Sequence, residues 1–403
     1  MIPKLASFVL VLCLSVQIQA QERVELWFES QNYLSRQVAL SDTALSERQA
    51  ENAYEDRVYQ LHGELVLPTG VQAKLSAGQS VTQFESEVQL NENHKSAGMP
   101  AIVFLVGSGP NSSHRGLYAE FVRENLENLF LEKGIALFYF DKRGVGLSEG
   151  RWQRTDLFER ADDARSAVRR LRDYPGIDGH RIGVVGHSQG GTVAQLLGAL
   201  YGDSLAFVAS LAAPTYDTER RLTHEYYSRF LCEGDPDAEA YDRAQKKAIS
   251  DLNWVQAFPL TKAWRQLNVL SEFDPAPYLA DITPPAYFAF AERDYFVSAR
   301  WGIETLEKAF KQGNSEDLPA HITVENFAGL DHDFRPTENV CSGSGVDGLE
   351  IDNSDLDGSA SDVSEVDDSG VDGEPSKIPV LPDYSEDFQR AFRDWVLQTL
   401  GMN

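Results

Sequence analysis

Apolar positions change rhythm near residue 100. Before that point they alternate or scatter. Val58, Gln60, His62 and Glu64 alternate with Tyr59, Leu61, Gly63 and Leu65 until Pro68-Thr69-Gly70, the period-two pattern of a half-exposed strand. Val81 to Leu90 is a second alternating candidate, and both read as antiparallel strands that precede the main sheet. Ahead of them, residues 21–57 carry Leu34, Val38, Leu45 and Ala53 at loose helical spacing and read as a polar helical lead-in. After residue 100 the apolar runs become short and continuous: Ala101 to Val106, Ile135 to Phe140, Arg181 to Val185, Leu205 to Leu211, Ala286 to Ala291 and His321 to Phe327. Such runs predict strands buried on both faces in a parallel sheet. Between them Leu157, Ala161, Ala164, Val168 and Leu171 form a helical stripe, and Phe388, Phe392 and Trp395 form another near the end. Strand and helix alternate, so the class is α/β, with a mostly parallel central sheet flanked by helices and a β-rich N-terminal extension.

Residues 214–284 interrupt this alternation with helical stretches rich in Tyr, Trp, Arg and Glu. They predict a helical cap over the C-terminal edge of the sheet, where ligands bind in such folds. Tyr226, Tyr227, Phe230, Trp254 and Trp264 are expected in the cap core rather than against substrate. The chain thus divides into a signal peptide (1–20), an N-terminal extension (21–95), a first core part (96–213), the cap (214–284), a second core part (285–339), an acidic insertion (340–376) and a C-terminal core helix (377–403).

The 403 residues suffice for one large α/β domain with additions, or for two domains. A formal charge of −26 argues against nucleic acid and anionic membranes as partners. Residues 346–374 hold eleven Asp or Glu and no Lys or Arg, and removing those eleven charges leaves −15 elsewhere. That composition cannot bury enough apolar surface to fold alone, so a disordered acidic loop is expected. Asn353, Asp355, Asp357 and Gly358 resemble the opening of a calcium loop, but Ser364 stands at the twelfth position and Glu365 falls one residue late. Lys4, the apolar run Leu5 to Val16 and Ile18-Gln19-Ala20 predict a secretory signal peptide ending at Ala20, hence a secreted or periplasmic protein. Its apolar run is shorter than a spanning helix needs. After cleavage Cys232 and Cys341 remain, either as one disulfide or as two unrelated thiols.

The chemistry centres on Gly186-His187-Ser188-Gln189-Gly190-Gly191, between the apolar run ending at Val185 and the helical Thr192 to Leu200. A serine with glycine two positions to either side, between strand and helix, is the nucleophile-elbow pattern. The five-residue match is weak by itself, so its flanks carry the weight. A serine hydroxyl needs a base, and the base an orienting carboxylate, in the chain order Ser, Asp, His for this elbow. Of eight histidines only His332 stands at the C-terminal end of a late strand, and Asp294 follows the strand before it. Asp217 is the runner-up acid; Glu292 sits two residues early, and Asp331 and Asp333 are too close to His332 in sequence. Oxyanion donors are expected from the amide of Gln189 and from Gly107-Ser108-Gly109-Pro110, with Gly109 first and Ser108 next.

With Asp141-Lys142-Arg143-Gly144-Val145-Gly146-Leu147-Ser148 added, this set resembles the α/β-hydrolase family. Within it, the chain is similar to bacterial serine esterases with a Gly-Ser-Gly-Pro oxyanion loop, related to the serine aminopeptidase and dienelactone hydrolase branches. The resemblance covers residues 101–332 and the final helix. It implies an α/β-hydrolase fold, with Asp141 and Arg143 as structural parts of a turn. Asn111-Ser112-Ser113-His114-Arg115 and the acidic insertion depart from the family pattern. The expected function is hydrolysis of a small-molecule carboxylic ester through an acyl-enzyme, requiring no metal or organic cofactor. Peptide or thioester cleavage by the same triad is the alternative, and a non-catalytic binding protein of this fold is the third reading.

Overall fold

A computed structural model describes residues 21–32, 57–68, 72–74, 87–89, 98–310, 317–342 and 382–402. Strands β1 (Arg23–Gln31), β2 (Val58–Val66), β5 (Met99–Leu105), β6 (Ala136–Phe140), β7 (Ile177–His187), β8 (Phe207–Leu211), β9 (Ala286–Ala291) and β10 (Ile322–Phe327) form one sheet of eight. Its order is β1-β2-β6-β5-β7-β8-β9-β10. From β6 to β10 all neighbours run parallel, while β2 pairs antiparallel with both β1 and β6. The fold is therefore a mostly parallel sheet of the α/β-hydrolase type. Two short strands, β3 (Gln72–Lys74) and β4 (Glu87–Gln89), pair separately. They lie within the two stretches of the extension that are described between β2 and β5, and the rest of the Val81 to Leu90 candidate lies outside the described residues. So do residues 1–20, where a signal peptide is expected, the calcium-like segment 353–365 and most of the acidic insertion.

The lead-in is described only at residues 21–32 and 57, so Leu34, Val38, Leu45 and Ala53 lie outside the described residues, and its described start departs from the helix expected there. Arg23–Gln31 is a strand with strictly alternating burial, not part of a helix. Val24, Leu26, Phe28 and Ser30 point inward, and Phe28 packs edge-on against Phe140 at 5.5 Å. Period-two alternation sits in this stretch, but charged Glu25 and Glu29 and the half-exposed Trp27 occupy the outward face and mask it. Pairing with β2 adds both strands to the main sheet itself, instead of leaving them ahead of it.

Helices cover both faces. Helix α1 (Leu157–Arg172) buries Leu157, Ala161, Ala164, Val168 and Leu171, and α2 (Gln189–Tyr201) buries Val193, Leu196 and Leu197 on the same face. Asp156 and Glu159 form a reciprocal capping box at the start of α1, with bonds of 2.7 and 3.0 Å. The other face is closed by the helical segment 119–130 and by the C-terminal Glu386–Thr399 through Phe121, Phe130, Phe388 and Phe392. Each large apolar side chain so buried contributes about 1.5–3 kcal/mol.

Between β8 and β9 lie α3 (Thr218–Glu233), α4 (Asp237–Ala257), α5 (Lys262–Leu270) and a short turn of helix at Ala276–Leu279. Leu222, Tyr226, Phe230, Ala240, Ala244, Ala248 and Leu252 form their common core. Trp254 is not in that core: it is 57 % exposed, and among the described residues its ring meets Phe258, tilted, at 5.4 Å. A Cys232–Cys341 disulfide ties the end of α3 to the turn at Val340–Ser342, so the two cysteines are paired. No helix among the described residues is long and apolar enough to cross a membrane.

Candidate active site

Ser188 follows β7 and opens α2 with φ 54° and ψ −128°, a conformation rare for a residue with a side chain. Such strain costs about 1–3 kcal/mol and persists only where the surroundings impose it. Here they do. A Cβ on Gly186 would overlap the Gly190 carbonyl, and one on Gly190 would overlap the Leu105 carbonyl of β5. The turn is therefore open only to glycine at both positions. Bonds from Ser188 N to Leu211 O (2.9 Å) and from Gly191 N to Ser188 O (2.9 Å) pin it from either side. The Ser188 hydroxyl has no hydrogen-bond partner among the described residues, so no bond joins it to His332.

His332 and Asp294 arrive from the loops after β10 and β9. His332 Nδ1 donates to Asp294 Oδ2 at 2.7 Å. The other carboxylate oxygen accepts the amides of Phe296 (2.7 Å) and Val297 (2.9 Å), so the acid is held by its own turn. Asp294 is 3 % exposed and His332 9 %. Burial pulls the His332 pKa down, but the Asp294 charge and hydrogen bond outweigh it and leave the imidazole above its ordinary value. Its ring lies 4.7 Å, centroid to centroid, from that of His187, the residue before Ser188. Phe296 packs edge-on against it at 5.0 Å.

The Gln189 amide begins α2, and neither it nor the Gly109 amide has an acceptor among the described residues. Gly109 takes φ +86°, which a side chain would strain, while the Ser108 carbonyl is engaged by the Ser112 hydroxyl. Two buried basic side chains brace these segments. Lys142 Nζ donates to Gly107 O at 2.7 Å, and Arg160 reaches both the Gln189 side chain (2.5 Å) and Val106 O (2.6 Å). Burial, then the Arg160 charge, pushes the lysine well below the usual range.

The sequence matches the alpha/beta hydrolase family over residues 102–339, more than half of the chain and from β5 to beyond His332. The chain belongs to this family. No curated protein matches it. Among solved structures, an esterase of Pyrococcus furiosus is 16 % identical with a TM-score of 0.45, covering 77 % of this chain and 83 % of its own. A proline iminopeptidase of Mycobacterium smegmatis is 13 % identical with a TM-score of 0.45, covering 85 % and 96 %. Likenesses at this level add nothing to the family match.

Other candidates in this hydrolase are occupied elsewhere. Asp217 caps α3, accepting from Arg220 N at 2.8 Å. Glu292 accepts from Gly329 N at 2.9 Å. Asp331 Oδ1 accepts from the amides of Asp333 (3.0 Å) and Arg335 (2.9 Å), closing the turn that carries His332. Asp141 lies between the buried rings of His62 (3.7 Å) and His114 (3.9 Å), and Arg143 is buried against Asp163 (2.8 Å) and Glu159 (3.0 Å). Three residues that touch the site carry no signal in the sequence. His224, between β8 and β9, donates to Asp294 O at 3.0 Å, and Lys142 and Arg160 donate to the main chain of Gly107 and Val106. None of these residues stands at a spacing that marks it, since each reaches its partner across 35 or more positions; only the Gln189 contact of Arg160 is nearer.

Proposed function

We propose that this hydrolase uses Ser188 as nucleophile and cleaves carboxylic esters through an acyl-enzyme. The observation that carries the reading is the 2.7 Å bond between His332 Nδ1 and Asp294 Oδ2, with the His332 ring 4.7 Å from that of His187, the residue before a serine held in a strained turn. The Asp294 carboxylate fixes the imidazole with its proton on Nδ1, leaving Nε2 as the base. Nε2 takes the Ser188 proton as Oγ attacks the ester carbon, then returns it to the departing alcohol. The Gln189 and Gly109 amides stabilise the oxyanion, each worth about 3 kcal/mol in the transition state. Water attacks the acyl-enzyme by the same route in reverse. The N-terminal Lys4, the apolar run Leu5 to Val16 and Ala20 support export of the protein out of the cytoplasm.

The test is hydrolysis of a ladder of p-nitrophenyl esters beside a panel of aminoacyl anilides, by wild type and by Ser188→Ala. Loss of the serine is expected to cost on the order of 10⁶ in kcat. Cleavage of esters by wild type alone supports the reading, and the ladder reports the acyl pocket. Cleavage of anilides alone replaces the esterase with a peptidase using the same residues. Equal activity of the variant removes Ser188 as nucleophile.

A further inference from the structure

One buried chain of hydrogen bonds joins the three loops on which this machinery rests. Tyr118, 7 % exposed, places Oη 2.9 Å from His187 Nδ1. His187, 1 % exposed, places Nε2 2.8 Å from the main-chain oxygen of His332. Burial, then the charge of His332, holds the His187 pKa down at about 4, so the ring is neutral at ordinary pH and carries one proton. A carbonyl oxygen only accepts, so that proton is on Nε2. Nδ1 is then an acceptor, and the Tyr118 hydroxyl is its donor. The Tyr118 oxygen also packs against Gly107, so closely that a Cβ there would overlap it. The direction of every bond is thus fixed. Asp333 Oδ1, at 3.8 Å from His187 Nε2, is beyond hydrogen-bond reach, and Phe121 closes the ring in at 4.7 Å.

A histidine placed only to fill the core would have no reason to end on the base loop. This one begins one residue before Ser188, spans 145 positions to the carbonyl of His332 itself, and is oriented by a tyrosine that touches the oxyanion segment. We propose that Tyr118 and His187 form a hydrogen-bonded strut that sets His332 against Ser188, making them positioning residues for the proton transfer. The inference rests on the Ser188, His332 and Asp294 reading above.

The test does not depend on knowing the substrate. A fluorophosphonate reacts with an activated serine: the Ser188 Oγ–P bond forms, the P–F bond breaks, fluoride leaves, and the serine proton passes to His332. Peptide mapping of the labelled wild type locates the adduct, and the dependence of rate on reagent concentration separates kinact from KI. Three variants follow. Tyr118→Phe removes only the hydroxyl. His187→Asn keeps a group at the Nδ1 position to meet Tyr118 but cannot reach His332. His187→Gln carries an amide nitrogen to the Nε2 position and can still donate to the His332 carbonyl.

Because a shift of about 1 Å in a reacting group can cost 10²-fold, His187→Asn is expected to lower kinact by about 10- to 100-fold. Tyr118→Phe should lower it by about 10-fold, His187→Gln by less than about 5-fold, and KI should stay within about threefold throughout. Equal losses in the Gln and Asn variants would mean that packing, not the bond to His332, is what counts. All three within twofold of wild type would also overturn the strut. Thermal unfolding of each variant reports whether it is folded; if the histidine variants are not, Tyr118→Phe decides alone. A wild type that labels nowhere at Ser188 removes the underlying reading, and the strut with it, before any variant is compared.

Discussion

Replacing Cys232 and Cys341 together by serine tests how the cap is secured. The bond joins positions 109 apart. In the chain-entropy treatment a loop of this length restricts the unfolded ensemble by roughly 16 cal/mol/K, or about 5 kcal/mol at 25 °C. The native side loses little. The cap core of Leu222, Tyr226, Phe230 and Ala244 includes neither cysteine, and the donation from His224 to Asp294 O runs through other residues. The double variant should therefore unfold about 3–5 kcal/mol more easily in urea, while turnover of an ester at 25 °C stays within about twofold. Urea titration followed by tryptophan fluorescence gives the first quantity, and steady-state rates on the folded protein give the second. Free thiols on both cysteines of the wild type, by non-reducing mass spectrometry, would refute the pairing. A stability change below about 1 kcal/mol in a protein with the bond intact would refute the loop argument. A tenfold loss of turnover at unchanged stability would show that the bond aligns the site instead of restraining the unfolded chain.

Further expectations concern the site itself. Asp294→Asn should cut kcat by on the order of 10⁴, with KM nearly unchanged, because the imidazole loses the acceptor that holds its proton on Nδ1. Since Asp294 raises the His332 pKa and the base must be neutral, the acid limb of kcat/KM should have its midpoint above pH 6.5 in wild type and move lower in this variant. Gly190→Ala should be destabilised by at least about 1–3 kcal/mol and lose serine reactivity, measured by thermal unfolding and fluorophosphonate labelling, because its Cβ meets the main chain of β5. His187 is held neutral in the fold with its pKa down at about 4, so the unfolded chain binds more protons between that pH and 6.5. Stability from this residue is present above pH 6.5 and lost as pH falls toward 4, by about 3 kcal/mol, which urea titrations across that range measure against His187→Gln.

Local periodicity carries local structure, and there the sequence alone decided much. Six apolar runs and the stripe from Leu157 to Leu171 mark the parallel sheet and a covering helix, because burial on two faces or one leaves a repeat of fixed length. The elbow is legible for the same reason: Gly186 and Gly190 are demanded by contacts within a few residues of the turn and with the strand beside it. The strand Arg23–Gln31 carries the same period-two signal, masked by the charges on its outward face. What only the tertiary structure decided is which distant groups meet. Asp217 and Asp294 look alike as acids at the ends of strands, yet one caps a helix and the other holds His332. Cys232 and Cys341, His224 and Asp294, and His187 and His332 are 109, 70 and 145 residues apart. Their pairing depends on strand order and on where each crossover returns, and no spacing along the chain encodes that.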